Sequence, residues 1–261
     1  MSRRINLHWR GSFVVLIVLL GVGNSSAAEG PGAVSRLDIV DRSIEFHGGE
    51  LFQRSTSQLR VCSRSGCYAV VSRIDGGLFD LQAEGTVRNE VRRVRVTNDT
   101  VELWHDGVPT EVDSEWLQTL RNWVMARVYF VYLPYRLNDG SVFKRDLGLE
   151  VWEGRSLHKV KVTFTPGSSS GADDEFLYWF DPETGRLEQF AYSYAGDPGG
   201  LRFRRAFNFR RVGGMLFYDQ KNWGVEGPSL NVDDISPKVI ETWRLVSTVT
   251  VEDIEVTPHK P

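Results

Sequence analysis

Five segments decide the fold of this chain: LHKVKVTF (157–164), DEFLYWF (174–180), RLEQFAYSY (186–194), LRFRRAFNF (201–209) and GMLFYDQKNW (214–223). Their side chains alternate in character with a period of two, which places alternate residues on opposite faces of a β-sheet. Short sequences rich in Gly, Pro, Asp and Ser separate the segments and favour turns. Connections this short join only antiparallel neighbours, because a parallel crossover needs a dozen or more residues. The stretch therefore predicts an antiparallel meander of at least five strands.

The rest of the chain adds helices and further strands. Apolar residues recur at helical spacing in residues 33–47, and Gly48-Gly49 ends this predicted helix. Residues 114–131 predict a second, mostly apolar helix, with Asp113 or Ser114 as its cap. Further strands are predicted at residues 58–62, 67–73, 77–83, 91–96, 101–107 and 148–156, and a last strand at 239–256 follows an irregular segment at 224–238.

These elements amount to about eleven strands and two helices with no linker long enough to divide them, so residues 29–261 are predicted to form one domain. About eight strands close a barrel that its own side chains fill. Eleven curved strands around one core leave more space, which the apolar helices occupy in part. The predicted fold is therefore mainly β (α+β): an antiparallel half-barrel of about eleven strands that wraps two or more helices and leaves a cavity lined by aromatic side chains.

The first 28 residues have the pattern of a secretory signal peptide. Arg3, Arg4 and Arg10 precede an apolar run at 13–23 and a small-residue stretch at 25–28. The apolar run has about half of the ~20 residues that span a bilayer, and no cysteine follows it for lipidation. We therefore expect a periplasmic or secreted protein that does not span the membrane after cleavage. The Arg3-Arg4 pair leaves open whether export uses the general or the twin-arginine route.

The charge of the chain argues against a nucleic-acid partner. Removal of residues 1–28 changes the formal net charge from −3 to −6, because three arginines and no acidic residue leave with them. Phosphate binding requires clustered cations, which an acidic chain does not favour. The basic pairs Arg92-Arg93 and Arg204-Arg205 are interpreted as solvated outer faces of strands or as protection of a sheet edge.

Cys62 and Cys67 are the only cysteines, and the sequence around them, LRVCSRSGCYAVV, predicts a hairpin. In an oxidising compartment the pair is expected to close as a disulfide across this hairpin. A redox-active pair is more typically separated by two residues at the start of a helix, and two cysteines provide too few ligands for zinc.

An enzyme remains an alternative. The sequence contains no H-E-x-x-H, G-x-S-x-G or phosphate-binding loop. Structural positions are favoured for the histidines: a helix end for His47, a turn for His105 and a sheet edge for His158. No catalytic residue, metal or cofactor is therefore predicted. The groups that an enzyme would use are His47, His105, His158, Asp106, Asp139, Asp173 and Asp174.

Several motifs carry a resemblance to a known family: FHGGELF (46–52), YFVYLPYRLND (129–139), HKVKVTF (158–164), residues 173–194 and GGLRFRRAFNFRRVGGMLF (199–217). Together they resemble an uncharacterised family of bacterial secreted proteins, DUF6503. This family is associated with the half-barrel fold of the outer-membrane lipoprotein carriers and receptors, LolA and LolB. The resemblance implies a curved antiparallel sheet that wraps helices and holds acyl chains. The chain departs from the receptor branch because it lacks a lipidation cysteine.

These features predict a non-catalytic protein that binds an acyl chain, a lipid or a lipoprotein in the concave face of its sheet. An envelope protein-interaction module that uses sheet edges or the aromatic surface is the alternative, and any one of the aromatic residues could instead belong to the core. The residues expected to line the cavity are Trp123, Phe130, Tyr132, Tyr178, Trp179, Tyr192 and Tyr194.

Overall fold

The computed structural model describes residues 38–75, 78–87, 90–165, 174–194, 199–227 and 231–259. The proposed signal peptide lies outside these residues, as do residues 33–37 of the first predicted helix. In the part of the chain that is described, no helix is long and apolar enough to cross a membrane.

The described strands form one antiparallel sheet of thirteen strands in the order β6-β5-β4-β3-β2-β1-β13-β12-β11-β10-β9-β8-β7. The last strand therefore pairs with the first and joins the N-terminal and C-terminal halves of the sheet. The strands are β1 Arg54–Ser63, β2 Gly66–Asp75, β3 Leu78–Val87, β4 Glu90–Thr97, β5 Val101–His105, β6 Val108–Thr110, β7 Val142–Trp152, β8 Arg155–Phe164, β9 Phe176–Phe180, β10 Leu187–Tyr194, β11 Gly200–Val212, β12 Met215–Glu226 and β13 Arg244–Pro258.

The predicted meander is confirmed as β8 to β12, each paired with its sequence neighbour. The count of about eleven strands was low, partly because β6 has three residues and is too short to show a period-two pattern. The last strand begins at Arg244 instead of residue 239, because Pro237 opens a short helix after Ser236. The disulfide between Cys62 and Cys67 joins β1 to β2 beside their turn.

Within the described residues, three α-helices accompany the sheet: α1 Asp38–His47, α2 Ser114–Val131 and α3 Pro237–Ile240. Short 3-10 helices occupy Gly49–Gln53, Tyr135–Asn138 and Val232–Asp234. The bounds of α2 agree with the predicted helix 114–131.

Helix α2 lies inside the curve of the sheet. Val124 and Val128 pack in a cluster with the inner faces of β1 to β4, β12 and β13. Tyr129, on another side of the helix, packs in a second cluster with β7 to β12 and α1. One helix thus contacts both halves of the sheet, and the mainly β half-barrel that wraps helices is confirmed.

The outer face of the C-terminal half carries a core of its own. Trp179 and Phe203 pack there with Val232, Ile235 and Ile240 from the segment between β12 and β13. Strand β9 is consequently buried on both faces, and all five of its residues are buried. The sheet in this region is the middle layer of three.

Candidate functional site

In the described part of the chain, a large and a small cavity flank α2 on the concave side of the sheet. The large cavity has a volume of about 540 Å³ and lies between α2 and residues of β1 to β3 and β10 to β13. The small cavity has a volume of about 230 Å³ and lies between the C-terminal end of α2, strands β1 to β3 and the 3-10 helix that follows Pro134. Ligand pockets in proteins commonly have volumes of about 300–1,000 Å³, so the large cavity is the candidate site.

The periodicity of the sequence builds the walls of the large cavity. Helix α2 contributes Trp123, Ala126, Arg127, Phe130 and Val131, which recur at the spacing of one helical face. Strands β1, β10, β11 and β12 each contribute two residues that are two positions apart, because alternate side chains point to the same face. These strand residues include Val61 and Ser63 of β1, Tyr192 and Tyr194 of β10, Arg202 and Arg204 of β11, and Gln220 and Asn222 of β12.

The structure brings four of the seven aromatic residues expected at the site together. Trp123, Phe130, Tyr192 and Tyr194 line the large cavity, whereas Tyr132 lines the small one. The ring of Phe130 lies 5.3 Å from that of Tyr192, between centroids, and connects the helix wall to the strand wall.

Tyr178 and Trp179 are fully buried and belong to the walls of neither cavity described above. They are adjacent in β9, and adjacent residues of a strand point to opposite faces, so the two cannot share one cavity wall. Tyr178 faces inward, where its hydroxyl and that of Tyr129 form a hydrogen bond of 2.6 Å. Trp179 faces outward and packs against Trp152 and Phe203.

Three arginines in the walls of the large cavity were not expected from the sequence. Arg204 faces inward, whereas its neighbour Arg205 faces outward and pairs with Glu153 at 2.7 Å. The interpretation of both residues as an outer face was wrong for Arg204, because a period of two separates neighbours in a strand. The same period places Arg202 on the inner face with Arg204. This alternation was the signal in the sequence that could have revealed both cations.

Arg204 is held by neutral groups. Its guanidinium donates to Gln220 Oε1 at 2.9 Å and to the Tyr192 hydroxyl at 3.0 Å, and it lies 4.4 Å from the ring centroid of Phe130. Gln220 also donates to the Phe130 carbonyl at 3.0 Å, which ties β12 to α2 beside Arg204. Within the described residues, no carboxylate forms an ion pair with Arg204, and its Nε is buried without an acceptor.

Arg127 approaches the same region from α2. It donates to the Trp123 carbonyl at 2.8 Å, and its guanidinium lies 3.7 Å from the Trp123 ring and 4.9 Å from the Tyr68 ring. Burial lowers the pKa of Arg127 to about 10, so the side chain stays cationic at neutral pH. Burial also raises the pKa of Tyr68, whereas the positive charges of Arg127 and Arg204 lower it in part. The two guanidiniums are therefore within electrostatic reach of one point on the wall.

Arg202 completes the cationic side of the large cavity. It lies over the Tyr194 ring at 4.6 Å and donates to the Leu201 carbonyl at 3.1 Å. Its ion pair with Glu226 is long, at 3.8 Å, and the Glu226 side chain is 60% exposed, so solvent screens most of this interaction. Among the described residues that line the large cavity, none is an aspartate, a glutamate or a histidine.

Of the described groups that an enzyme would use, Asp139 lines the small cavity and none lines the large one. His47 ends α1, is fully buried and donates to the Ser43 carbonyl at 2.8 Å; burial lowers its pKa to about 4. His158 bonds to Asp146 at 2.7 Å across the β7–β8 edge pair, and His105 ends β5. Asp139 pairs with Arg136, Asp106 and Asp174 lie outside the described walls, and Asp173 lies outside the described residues. In the described ranges, no group of His, Cys, Asp or Glu is arranged to hold a metal ion.

Comparison with known structures identifies proteins of similar architecture. A LolA superfamily protein from Nitrosomonas europaea is 13% identical, with 85% of this chain and 92% of that chain covered and a TM-score of 0.49. A DUF1329 family protein from Desulfovibrio piger is 7% identical, with coverages of 83% and 91% and a TM-score of 0.39. The lipoprotein LppX from Mycobacterium tuberculosis is 15% identical, with coverages of 60% and 86% and a TM-score of 0.30.

Sequence comparison assigns the chain to a family. No curated protein is significantly similar to this chain. One family profile, described as "Family of unknown function (DUF6503)", matches residues 77–252, which is more than half of the chain. The chain therefore belongs to the DUF6503 family of unknown function.

Proposed function

We propose that this protein binds an apolar ligand, such as an acyl chain, in the large cavity between α2 and the concave face of the sheet. The observation that carries the proposal is a volume of about 540 Å³ bordered by one face of a helix and by seven strands. The aromatic rings of Trp123, Phe130, Tyr192 and Tyr194 supply apolar surface to this volume.

The energy of burial is sufficient for such a ligand. Each buried methylene contributes about 0.8 kcal/mol, so about ten methylenes contribute roughly 8 kcal/mol before the costs of association and ordering. A cavity that exists before the ligand arrives lowers these costs, because fewer side chains need to be ordered on binding. The packing of Phe130 against Tyr192 and the bond from Gln220 to the Phe130 carbonyl hold the walls in place.

We place this function in the periplasm or outside the cell, and we propose a carrier or sensor instead of a catalyst. The Cys62–Cys67 disulfide supports an oxidising compartment. The composition of the large cavity supports a binding role, because general acid–base catalysis uses mainly histidine and carboxylate side chains and the described walls of this cavity contain neither.

Displacement of a fluorescent fatty acid by dodecanoate tests the proposal. Ala126→Trp places an indole in the large cavity from α2, where Ala126 is part of the wall. We expect this variant to bind the probe at least about 10-fold more weakly, because the indole takes up space that the chain would occupy. Leu149→Trp is the matched control, since Leu149 is 65% exposed on the edge strand β7.

Two results would contradict the proposal. The first is equal affinity of both variants and the original protein for the probe. The second is recovery of one stoichiometric protein partner from cell extract, while organic extraction of the purified protein yields no lipid and the probe does not bind. The second result would support an envelope interaction module instead.

A further inference from the structure

We propose that the large cavity selects an anionic amphiphile: an acyl or alkyl chain that carries one carboxylate or phosphate group, bound by Arg204 and Arg127 with Arg202 at their side. This inference rests on the proposed function, because it assigns the head group of the ligand whose chain occupies the same cavity.

The charge distribution of the walls is the first argument. The whole chain has more acidic than basic residues, 34 against 31. The described walls of the large cavity reverse this balance, with three arginines and neither aspartate nor glutamate. Elsewhere in the described chain, Arg136 and Arg210 form short ion pairs, with Asp139 at 2.6 Å and with Asp219 at 2.9 Å, whereas the ion pair of Arg202 with the exposed Glu226 is 3.8 Å long. The excess of positive charge is therefore local to this cavity.

The bonding of Arg204 is the second argument. A guanidinium offers five N–H donors in a planar fork that fits a carboxylate or a phosphate with two parallel hydrogen bonds. Arg204 uses donors on neutral acceptors, Gln220 and Tyr192, and its Nε is buried without an acceptor. Removing a cation from water is costly unless an anion or hydrogen bonds compensate for the loss. A bound anionic head group would provide this compensation.

The geometry of the walls is the third argument. Arg202 and Arg204 are two residues apart on one strand face, which separates their backbones by about 7 Å. Arg127 lines the same cavity from α2, where its guanidinium lies 4.9 Å from the ring of Tyr68 on β2. The aromatic rings beside the arginines, Tyr194 and Phe130, continue the wall as apolar surface. An anionic group at the arginines would thus leave its chain in contact with aromatic side chains.

Binding of three ligands with the same chain length tests the inference: dodecanoate, dodecyl phosphate and dodecanol, each by displacement of a neutral fluorescent acyl probe from the full mature chain. We expect at least one of the anions to bind about 10- to 100-fold more tightly than the alcohol, which is the size expected for charge-assisted hydrogen bonds. Preference for dodecanoate indicates a carboxylate head group, and preference for dodecyl phosphate indicates a phosphate head group.

Arg204→Met and Arg205→Met are matched variants, because the two residues are neighbours on β11 and face opposite sides of the sheet. We expect Arg204→Met to reduce the preference for the anion to less than about threefold while dodecanol binding is retained. Arg205→Met should keep the full preference. Arg204→Lys should keep part of it, because an ammonium retains the charge but not the planar fork.

The outcomes separate the two proposals. Equal binding of all three ligands by the unaltered protein would overturn the anionic head group and leave apolar binding intact. Displacement of the probe by none of them would overturn both. Preference that survives in Arg204→Met would overturn the assignment to this arginine. The comparison of ligands on the unaltered protein remains decisive if the Met variant does not fold, since Arg204 also stacks on Phe130.

Discussion

The hydrogen bond between Tyr129 and Tyr178 gives a sharp test of how α2 is held in the sheet. The two hydroxyls are 2.6 Å apart, both residues are buried, and each hydroxyl has the other as its hydrogen-bond partner. Burial raises the pKa of both hydroxyls, so both are neutral at physiological pH. The bond connects the inner face of α2 to β9 in the middle of the aromatic core.

Replacement of one tyrosine by phenylalanine leaves the other hydroxyl buried without a partner. Such a group costs about 1–3 kcal/mol, whereas replacing both partners with apolar groups of the same shape is nearly neutral. We expect Tyr129→Phe and Tyr178→Phe each to lower the free energy of unfolding by about 1–3 kcal/mol. The double variant should unfold within about 1 kcal/mol of the original protein, and thus be more stable than either single variant.

Urea denaturation of the original protein, the two single variants and the double variant measures these free energies of unfolding. Unchanged m-values check that the four proteins undergo the same unfolding reaction. A double variant whose destabilisation equals the sum of the two single values would refute the reasoning. That result would mean that each hydroxyl is solvated separately, and that the region between α2 and β9 is open to water.

Three further predictions concern other parts of the fold. Burial lowers the pKa of His47 in the folded state to about 4 from the usual 6.5, so the unfolded state binds more protons between these pH values. The free energy of unfolding should therefore fall by up to about 3 kcal/mol as the pH decreases from 6.5 to 4. His47→Gln should flatten this pH dependence, and an unchanged slope would contradict the prediction. Replacing both Cys62 and Cys67 by serine should lower the free energy of unfolding by about 2 kcal/mol, the loop-closure entropy of the disulfide, as measured by urea denaturation under non-reducing conditions. Equal stability of the two proteins would show that the disulfide across this short loop contributes no stability. Trp179→Ala should lower the free energy of unfolding by about 3–5 kcal/mol but leave the affinity of the folded protein for the fluorescent probe unchanged, because Trp179 packs on the outer face of the sheet. A weaker affinity would place Trp179 at the binding site.

The sequence predicted the elements whose periodicity is strong and unambiguous. The five strands of the meander and the helix at 114–131 show clear periods, and the structure contains them. The order of strands across the whole sheet depends on the pairing of β13 with β1 and β12, which are far from one another along the chain. The local periodicity of a sequence does not predict which distant strands pair.

The faces of the strands were harder to predict than the strands themselves. In β9 all five residues are apolar, so alternation does not show which side faces the helix. The outer face has its own core because residues 231–243 cover it. This irregular segment has no periodicity from which its position against the sheet could be predicted. Trp179 was therefore expected at the cavity and lies on the opposite side of the sheet.

Arg204 was expected on the outer face of the sheet and lies on the inner face. Charged residues in strands are usually solvated, and composition alone favoured an outer position for the Arg204-Arg205 pair. The alternation of the strand requires that only one of the two faces outward, and the outward one has a carboxylate partner. Applied residue by residue, the period of two would have directed attention to a cation inside the half-barrel.

Native mass spectrometry of residues 29–261, purified without detergent and then mixed with dodecanoate, tests the central claim most directly. The account predicts one bound molecule per chain, with the adduct absent from Ala126→Trp and present in Leu149→Trp. Spectra in which the unaltered protein carries no adduct, or in which Ala126→Trp carries the same adduct as the unaltered protein, would contradict a ligand site in the large cavity.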